Sequence, residues 1–453
     1  MKRAFLVLPV AIFVAFAALP AAIPQQFEVG GFSVKLIEPC LAAAAVWAVC
    51  QPRRARVARY AVPFAAVVAG LTLWSLQAGL DLNKAGSDAR LPFYGAVATL
   101  VAGSVTTRSQ QRACLAGALC TLWFSAAMVL VSLATGMELG GRSEAASLDL
   151  ADTGAATRFL TPTDFLAVAT IAICLVLVIS GARRDYRLWY WVLPAGCLMV
   201  LSFSRNHLIG LAVAVAFALV CLRSSASLFG LAKVACCAVA IVLAFGLGLG
   251  TLLDPIPGAG FVAQQANSYG GRVLDGLGSQ ARSTDGSTQW RDQENARMLY
   301  EIPDAIWIGH GFGYAYKSPE GAPGTFQNDS APYYAHNFYL WLVLKAGLLG
   351  LVAFAWFALG PLVTVVRRPR SPVQVALGAA AAGLLAISVV APVPNGAPET
   401  TLLGGLLGIV VVLGQRGLDR SGYGSAIEGS GPGGAYEDAH RGASSFSVCR
   451  IES

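Results

Sequence analysis

Charge is scarce in this chain of 453 residues: Asp, Glu, Lys and Arg make up only 13% of it, while 56% is hydrophobic. Soluble domains carry roughly a quarter charged residues, so the apolar excess must face lipid. It falls into blocks of roughly 17 to 25 residues, the length a helix needs to cross the hydrocarbon core. Disulfide chemistry is missing from the longest polar segment, because none of the ten cysteines lies between Leu253 and His336. Nine cysteines sit in or beside apolar blocks as small hydrophobes, and Cys449 is in the C-terminal stretch. No C-x-x-C metal signature occurs. The paired carboxylates of glycoside hydrolases have no evident counterpart in the long loop, nor does a metal ligand set. The net charge of +7 never gathers into a basic face but into short clusters at block ends. That excludes a nucleic-acid partner and points to membrane orientation.

The blocks predict an all-α polytopic membrane protein of about twelve transmembrane helices with one large, partly helical extracytoplasmic loop. The expected spans are 4–23, 33–50, 60–80, 91–107, 113–135, 162–181, 188–203, 207–222, 227–252, 347–366, 373–391 and 399–414. Lys2 and Arg3 precede an uncleaved first helix. Counting from there, the short inside loops hold thirteen arginines, whereas the short outside ones hold Lys84, Arg90, Arg142, Arg158 and Arg205. This bias sets both termini in the cytoplasm. Four regions follow: 1–253, nine spans; 254–346, the large loop ending in an interfacial helix; 347–414, three spans; and 415–453, a Gly-rich disordered tail. No internal repeat is evident, which weakens a transporter reading, as many carriers are built from related halves. Charges within spans are few. Lys35 and Glu38 are spaced to pair on one helix face, and Asp164 and Lys233 lie near helix ends.

Three elements carry candidate chemistry. Leu201-Ser-Phe-Ser-Arg-Asn-His-Leu208 joins two spans by a short outer turn. Arg205 there reads either as an anchor snorkelling to headgroups or as a guanidinium held for a lipid-linked phosphate. Gln289–Ile302 reads as a surface helix whose Arg291 and Arg297 each stand three residues from Glu294, as in an exposed salt-bridge ladder. Gly309-His-Gly-Phe-Gly313 lacks the strand and helix context of a nucleotide loop, so its glycines read as a tight turn approaching something closely. His336 and Asn337 then open an apolar helix, where either is a plain cap or a functional group. His207, His310 and His336 all fall at the expected outer face, where a neutral imidazole can take a proton.

In this order and spacing, these elements resemble the O-antigen ligase and O-antigen polymerase superfamily of bacterial membrane glycosyltransferases. The resemblance rests on Ser202-Phe-Ser-Arg205, Arg291, Gly309-x-Gly311, His336-Asn337-x-x-Leu340 and Gly347, across roughly residues 160 to 370. The family's proline shortly before the glycine turn is absent; Ile306 stands near its place and Pro303 further back. The resemblance implies a bacterial inner-membrane enzyme that passes a glycan from an undecaprenyl-pyrophosphate carrier to a hydroxyl acceptor, lipid A core or another glycan, on the outer side. It needs no nucleotide sugar, metal or other cofactor. Arg205 and Arg291 are expected to stabilise the departing pyrophosphate, and His336 to act as general base in an inverting displacement. Asn337, Arg297, His310, Gly309 and Gly311 are the expected substrate contacts. A ligase and a polymerase remain alternatives within the family, and a polysaccharide transporter outside it.

Overall fold

The computed structural model describes residues 4–29, 32–51, 55–140, 142–144, 158–182, 186–224, 226–233, 286–323, 325–369 and 371–425. They are mostly helical: α1 (Val7–Phe16), α2 (Ile37–Val49), α3 (Ala55–Gln77), α4 (Leu82–Gly103), α5 (Arg108–Thr135), α6 (Asp164–Ile179), α7 (Trp189–Leu201) and α8 (Asn206–Leu222) precede the large loop. In and after that loop come α9 (Gly286–Glu301), α10 (Phe338–Arg367), α11 (Pro372–Ile387) and α12 (Ala397–Ser425). Two short antiparallel strand pairs also occur among the described residues, β1 (Gln26–Val29) with β2 (Phe32–Lys35) and β3 (Arg142–Glu144) with β4 (Arg158–Leu160).

Among the described residues four helices, within α3, α5, α10 and α12, are long and apolar enough to cross a membrane, and six apolar helices are shorter, at 10–17 residues. The shortfall from twelve membrane-length spans has local causes. Helix α1 stops at Phe16, ahead of Pro20, which bridges to Leu139. Residues 33–35 of the second expected span are strand, so α2 begins only at Ile37. Lys35 and Glu38 therefore do not share a helix face, and Glu38 pairs with Arg90 at 3.2 Å instead. The ninth expected span is helical at 226–233, and 234–252 lies outside the described residues. Helix α12 continues to Ser425, past the expected end of order at Gln415, because loss of hydropathy marks where a membrane ends and not where backbone hydrogen bonding does.

Residues 1–414 form one compact unit. Its main core packs α3, α4, α6, α8, α10, α11 and α12 together through residues such as Phe64, Phe338, Phe357, Leu384 and Leu407. Small residues let the backbones approach where lipid supplies no hydrophobic drive between helices. A β-carbon added to Gly404 of α12 would stand 2.1 Å from the Gly95 carbonyl oxygen of α4, and Thr99 Oγ1 donates to the Gly404 carbonyl at 2.9 Å. Gly210 of α8 and Gly383 of α11 meet in the same way. We expect Gly404→Leu to cost about 1–3 kcal/mol, as overpacking does. The neighbouring Gly405→Ala, which enters open space, is expected to leave the thermal unfolding midpoint in detergent unchanged.

Helix direction alternates along the chain, so one end of the unit collects the starts of α2, α6, α8 and α12 and the ends of α1, α7 and α11. The cavity described next opens at that end.

Candidate active site

Helix α10 is interrupted at Gly347, whose φ of 64° and ψ of −168° are not helical. An unbroken helix would join Leu348 to Leu344 and Leu349 to Lys345. Both bonds are replaced by the glycine turn. His310 N donates to the Leu344 carbonyl at 2.8 Å and Gly311 N to the Lys345 carbonyl at 3.0 Å, while Leu348 N and Leu349 N donate to the carbonyls of Ile306 and Trp307 at 2.8 and 3.1 Å. Residues 306–311 are thus spliced into the break. The fit leaves no room for side chains, since an added β-carbon would stand 2.3 Å from Lys345 C at Gly309 and 2.3 Å from Trp307 C at Gly347. Gly309, Gly311 and Gly313 all have positive φ, which glycine adopts without strain. The close approach expected of these glycines is to protein backbone.

The turn is also held from beneath. Asp88 of α4 accepts from Gly313 N at 2.8 Å and from Lys345 Nζ at 2.8 Å, and Lys345 Nζ donates in addition to the Tyr314 carbonyl. Phe312 N donates to Ser75 Oγ of α3 at 2.9 Å. Lys345 is fully buried, so its charge is compensated by this set, with the rings of Tyr333 and Trp341 at 5.5 and 5.9 Å beside it.

Helix α9 covers the position read as a surface helix, but its Glu294 and Met298 are buried. Glu294 forms no ladder with Arg291 or Arg297. Its Oε2 accepts from His336 at Nδ1, 2.7 Å, and at the backbone N, 3.3 Å; its Oε1 accepts from Lys317 Nζ at 2.8 Å and Trp290 Nε1 at 3.2 Å. Burial alone would raise the Glu294 carboxyl, but the hydrogen bonds and charges of His336 and Lys317 outweigh it and hold the group down at about 2. An ionised carboxylate can only accept, so Nδ1 of His336 carries the hydrogen. Whenever the ring is neutral the lone pair is therefore on Nε2, which makes no hydrogen bond among the described residues.

The His336 ring and Arg291 line a cavity of about 760 Å³, to which β4, β2 and the starts of α2, α6, α8 and α12 also contribute. Its other charged or readily ionised lining residues are Lys35, Arg158, His207, Asp164 and Glu399, with the phenol of Tyr334 beside them. The Asp164 carboxylate is already engaged by Thr161, whose Oγ1 and N donate at 2.9 and 3.2 Å. The cations Lys35, Arg158 and Arg291 come from three separate segments. The helix starts add the positive ends of helix dipoles, so beside the acidic Asp164 and Glu399 the cavity offers three cations to an anion.

The turn 202–205 forms part of the wall. Phe203 holds a φ of 48° while buried, a strained conformation for a non-glycine residue, and Arg158 Nε donates to the Ser202 carbonyl at 2.9 Å. His207 is buried and shares a hydrogen bond of 3.2 Å between Nδ1 and Ser202 Oγ, so it braces the turn from inside and is no free surface imidazole. Ser204, Asn206 and His207 line the cavity; Arg205 begins α8 between them without itself being a lining residue.

The structure thus brings Arg291 and His336 together and sets the Arg205 turn beside them. It gives the other expected contacts different tasks. Asn337 caps α10, its Oδ1 accepting from Tyr339 N at 3.1 Å and Leu340 N at 3.2 Å. His310 donates from Nε2 to the Glu301 carbonyl at 2.9 Å and stacks on Tyr314, while Gly309 and Gly311 fill the break in α10. Arg297 lines a separate depression with Tyr300, Tyr316 and Lys317. Sequence reading missed Arg158 and Lys35 as site cations and Glu294 as the partner of His336. No local pattern marks them, since Glu294 and His336 are 42 residues apart.

A bundle of apolar helices, four of them of membrane length, with one cavity that gathers Lys35, Arg158, Arg291 and the carboxylate-held His336 defines the class as a helical membrane protein with a built polar site. Residues 190–355 match the family described as O-Antigen ligase. That segment lies within the stretch over which the sequence resembles the O-antigen ligase and polymerase superfamily, and the match supports that resemblance. No curated protein matches the chain.

Proposed function

We propose that the protein transfers a glycan from an undecaprenyl-pyrophosphate carrier to a hydroxyl acceptor at the outer face of the bacterial inner membrane, as an O-antigen ligase. The observation that carries this reading is the meeting of His336 and Arg291 in one cavity with Lys35 and Arg158. The acceptor hydroxyl must lose a proton as it attacks the anomeric carbon. His336 Nε2 receives that proton, and Glu294, bonded to Nδ1, fixes the tautomer that allows it and steadies the imidazolium formed. The departing pyrophosphate carries its charge onto Arg291, Arg158 and Lys35, with the Arg205 turn and the helix starts adding to the field. A single displacement inverts the anomeric centre.

The test is reconstitution with carrier-linked glycan and acceptor, comparing wild type with Arg205→Ala, Arg291→Ala and His336→Ala. Loss of transfer is expected; undiminished transfer in all three would sink the site assignment, and carrier movement across the bilayer without transfer would favour a transporter. Offering lipid A core or a second carrier-linked unit as acceptor separates ligase from polymerase.

Glu294 supplies a further expectation. Glu294→Gln keeps the shape but can donate to Nδ1 and so favour the wrong tautomer; transfer should fall on the order of 10²-fold or more. Its effect on stability has a defined pH window. The carboxyl's value drops from its ordinary 4.5 to about 2 in the folded protein, so the stability it contributes is complete above 4.5 and is lost as pH falls through 2. Thermal unfolding of wild type and Glu294→Gln should differ by a constant amount from neutral pH down to about 5 and converge as pH falls toward about 2.

A further inference from the structure

Along α10, Leu349, Val352, Trp356, Leu359 and Val363 are exposed. Their steps of three and four residues place them on one helix face, a continuous apolar stripe. From Leu348 to Arg367 the helix runs for roughly 20 residues, about 30 Å, which is the hydrocarbon thickness of a bilayer. The break at Gly347 therefore falls at one boundary of the hydrocarbon, with Arg367 at the other. Ile306 and Trp307 are bonded through their carbonyls to Leu348 and Leu349, at that boundary.

The stretch leading into this splice exposes large apolar side chains although it belongs to the loop and not to a span. Tyr300 is 81% exposed and Trp307 73%, and Leu299, Ile306 and Ile308 are exposed beside them. The earlier outward residues of α9, Gln289, Asp292 and Gln293, are polar and also exposed. Trp290, at 37%, and Phe326, at 54%, are single exposed rings elsewhere in the loop, whereas five large apolar side chains gather at the end of α9 and the turn after it, the part fastened to α10 beside Gly347. Tyrosine and tryptophan are enriched at this level of a bilayer, where an apolar ring with a polar edge is suited to the headgroup layer.

We infer that residues 299–308 are seated in the interfacial layer of the bilayer, with Trp307 and Tyr300 in contact with phospholipid. The occupant of this patch is lipid, because the patch continues the lipid-facing stripe of α10 past the break at Gly347. Seating the end of α9 there fixes the height of its opposite side, from which Glu294 holds His336, at the level of lipid headgroups. The inference rests on exposure and connection and does not depend on the reaction proposed above.

Tryptophan quenching tests it in the full-length protein reconstituted alone into phosphatidylcholine vesicles. Bromines are carried on the acyl chains either near the headgroup or near the chain ends, and iodide is added to the water on both sides. The difference in emission between wild type and Trp307→Phe isolates Trp307. Its emission is expected to fall about twofold or more with headgroup-proximal bromines, less with bromines near the chain ends, and little with iodide. Placing the reporter at the second position, as Tyr300→Trp in the Trp307→Phe background, should repeat the pattern. Quenching of both reporters by iodide with no effect of either bromolipid would overturn the inference and leave the patch for a protein partner.

Discussion

Replacing His336 by alanine is expected to lower glycan transfer about 10²- to 10⁴-fold, the range over which a positioned general base contributes, while binding of undecaprenyl pyrophosphate itself persists. The two effects separate because the cations proposed to face the pyrophosphate lie elsewhere. Arg291 comes from α9, Arg158 from β4 and Lys35 from β2, and none of them bonds to the imidazole through any contact described above. Conversely, Arg291→Ala should weaken carrier binding as well as turnover. The readout is single-turnover transfer alongside equilibrium binding of the sugar-free carrier. If His336→Ala lost carrier binding to the same degree as turnover, the ring would be a wall of the cavity and not its base. The double variant His336→Ala with Glu294→Gln should be no slower than His336→Ala alone, because a residue that acts by orienting the ring has nothing left to orient.

Lys345→Met carries the second large effect, on stability. It leaves Asp88 buried without its cation, and breaking one partner of a buried pair costs about 3–5 kcal/mol. Removing both charges together, as Lys345→Met with Asp88→Leu, should recover part of that loss. Recovery will be incomplete, since Gly313 N and the Tyr314 carbonyl also lose partners in the double variant. Thermal unfolding in detergent of the single and double variants completes the cycle. Equal destabilisation in both would show that the charge pair is not the source. The same variants should lower transfer as well, since the turn they hold leads from α9 to His336.

Much of this architecture could be read from residue order, because hydropathy and capping are local. The apolar blocks foretold where helices lie, the pattern at 289–302 foretold α9, and of the two roles open to Asn337, cap or substrate contact, the structure shows the cap. Helix length was less legible. Prolines and the hairpin at 26–35 shorten the first two segments below membrane length without changing their apolar character. The site divided along the same line. His336 and Arg291 were visible as chemistry-bearing residues with a family pattern, whereas Lys35 and Arg158 look like loop-end charges until folding puts them beside the others. Glu294 was misread for a related reason: three-residue spacing within a helix offers Arg291 and Arg297 as partners, but the side of α9 that bears Glu294 is buried against Lys317 and His336. The glycine turn was recognisable as a close approach, yet what it approaches, 34 residues further along at Leu344 and Lys345, left no mark nearby.

The splice at Gly347 also bears on how the chain is made. Residues 306–311 are synthesised before 338–367, so the strand that completes the broken turn precedes the helix it completes. As α10 enters the bilayer, its Leu344 and Lys345 carbonyls and its Leu348 and Leu349 amides have no water to turn to at the hydrocarbon edge, and the earlier segment supplies their partners. The helical hydrogen-bond ladder of α10 is thus complete only when the segment that leads to His336 is docked, and a chain that has not docked its loop has not finished its helix.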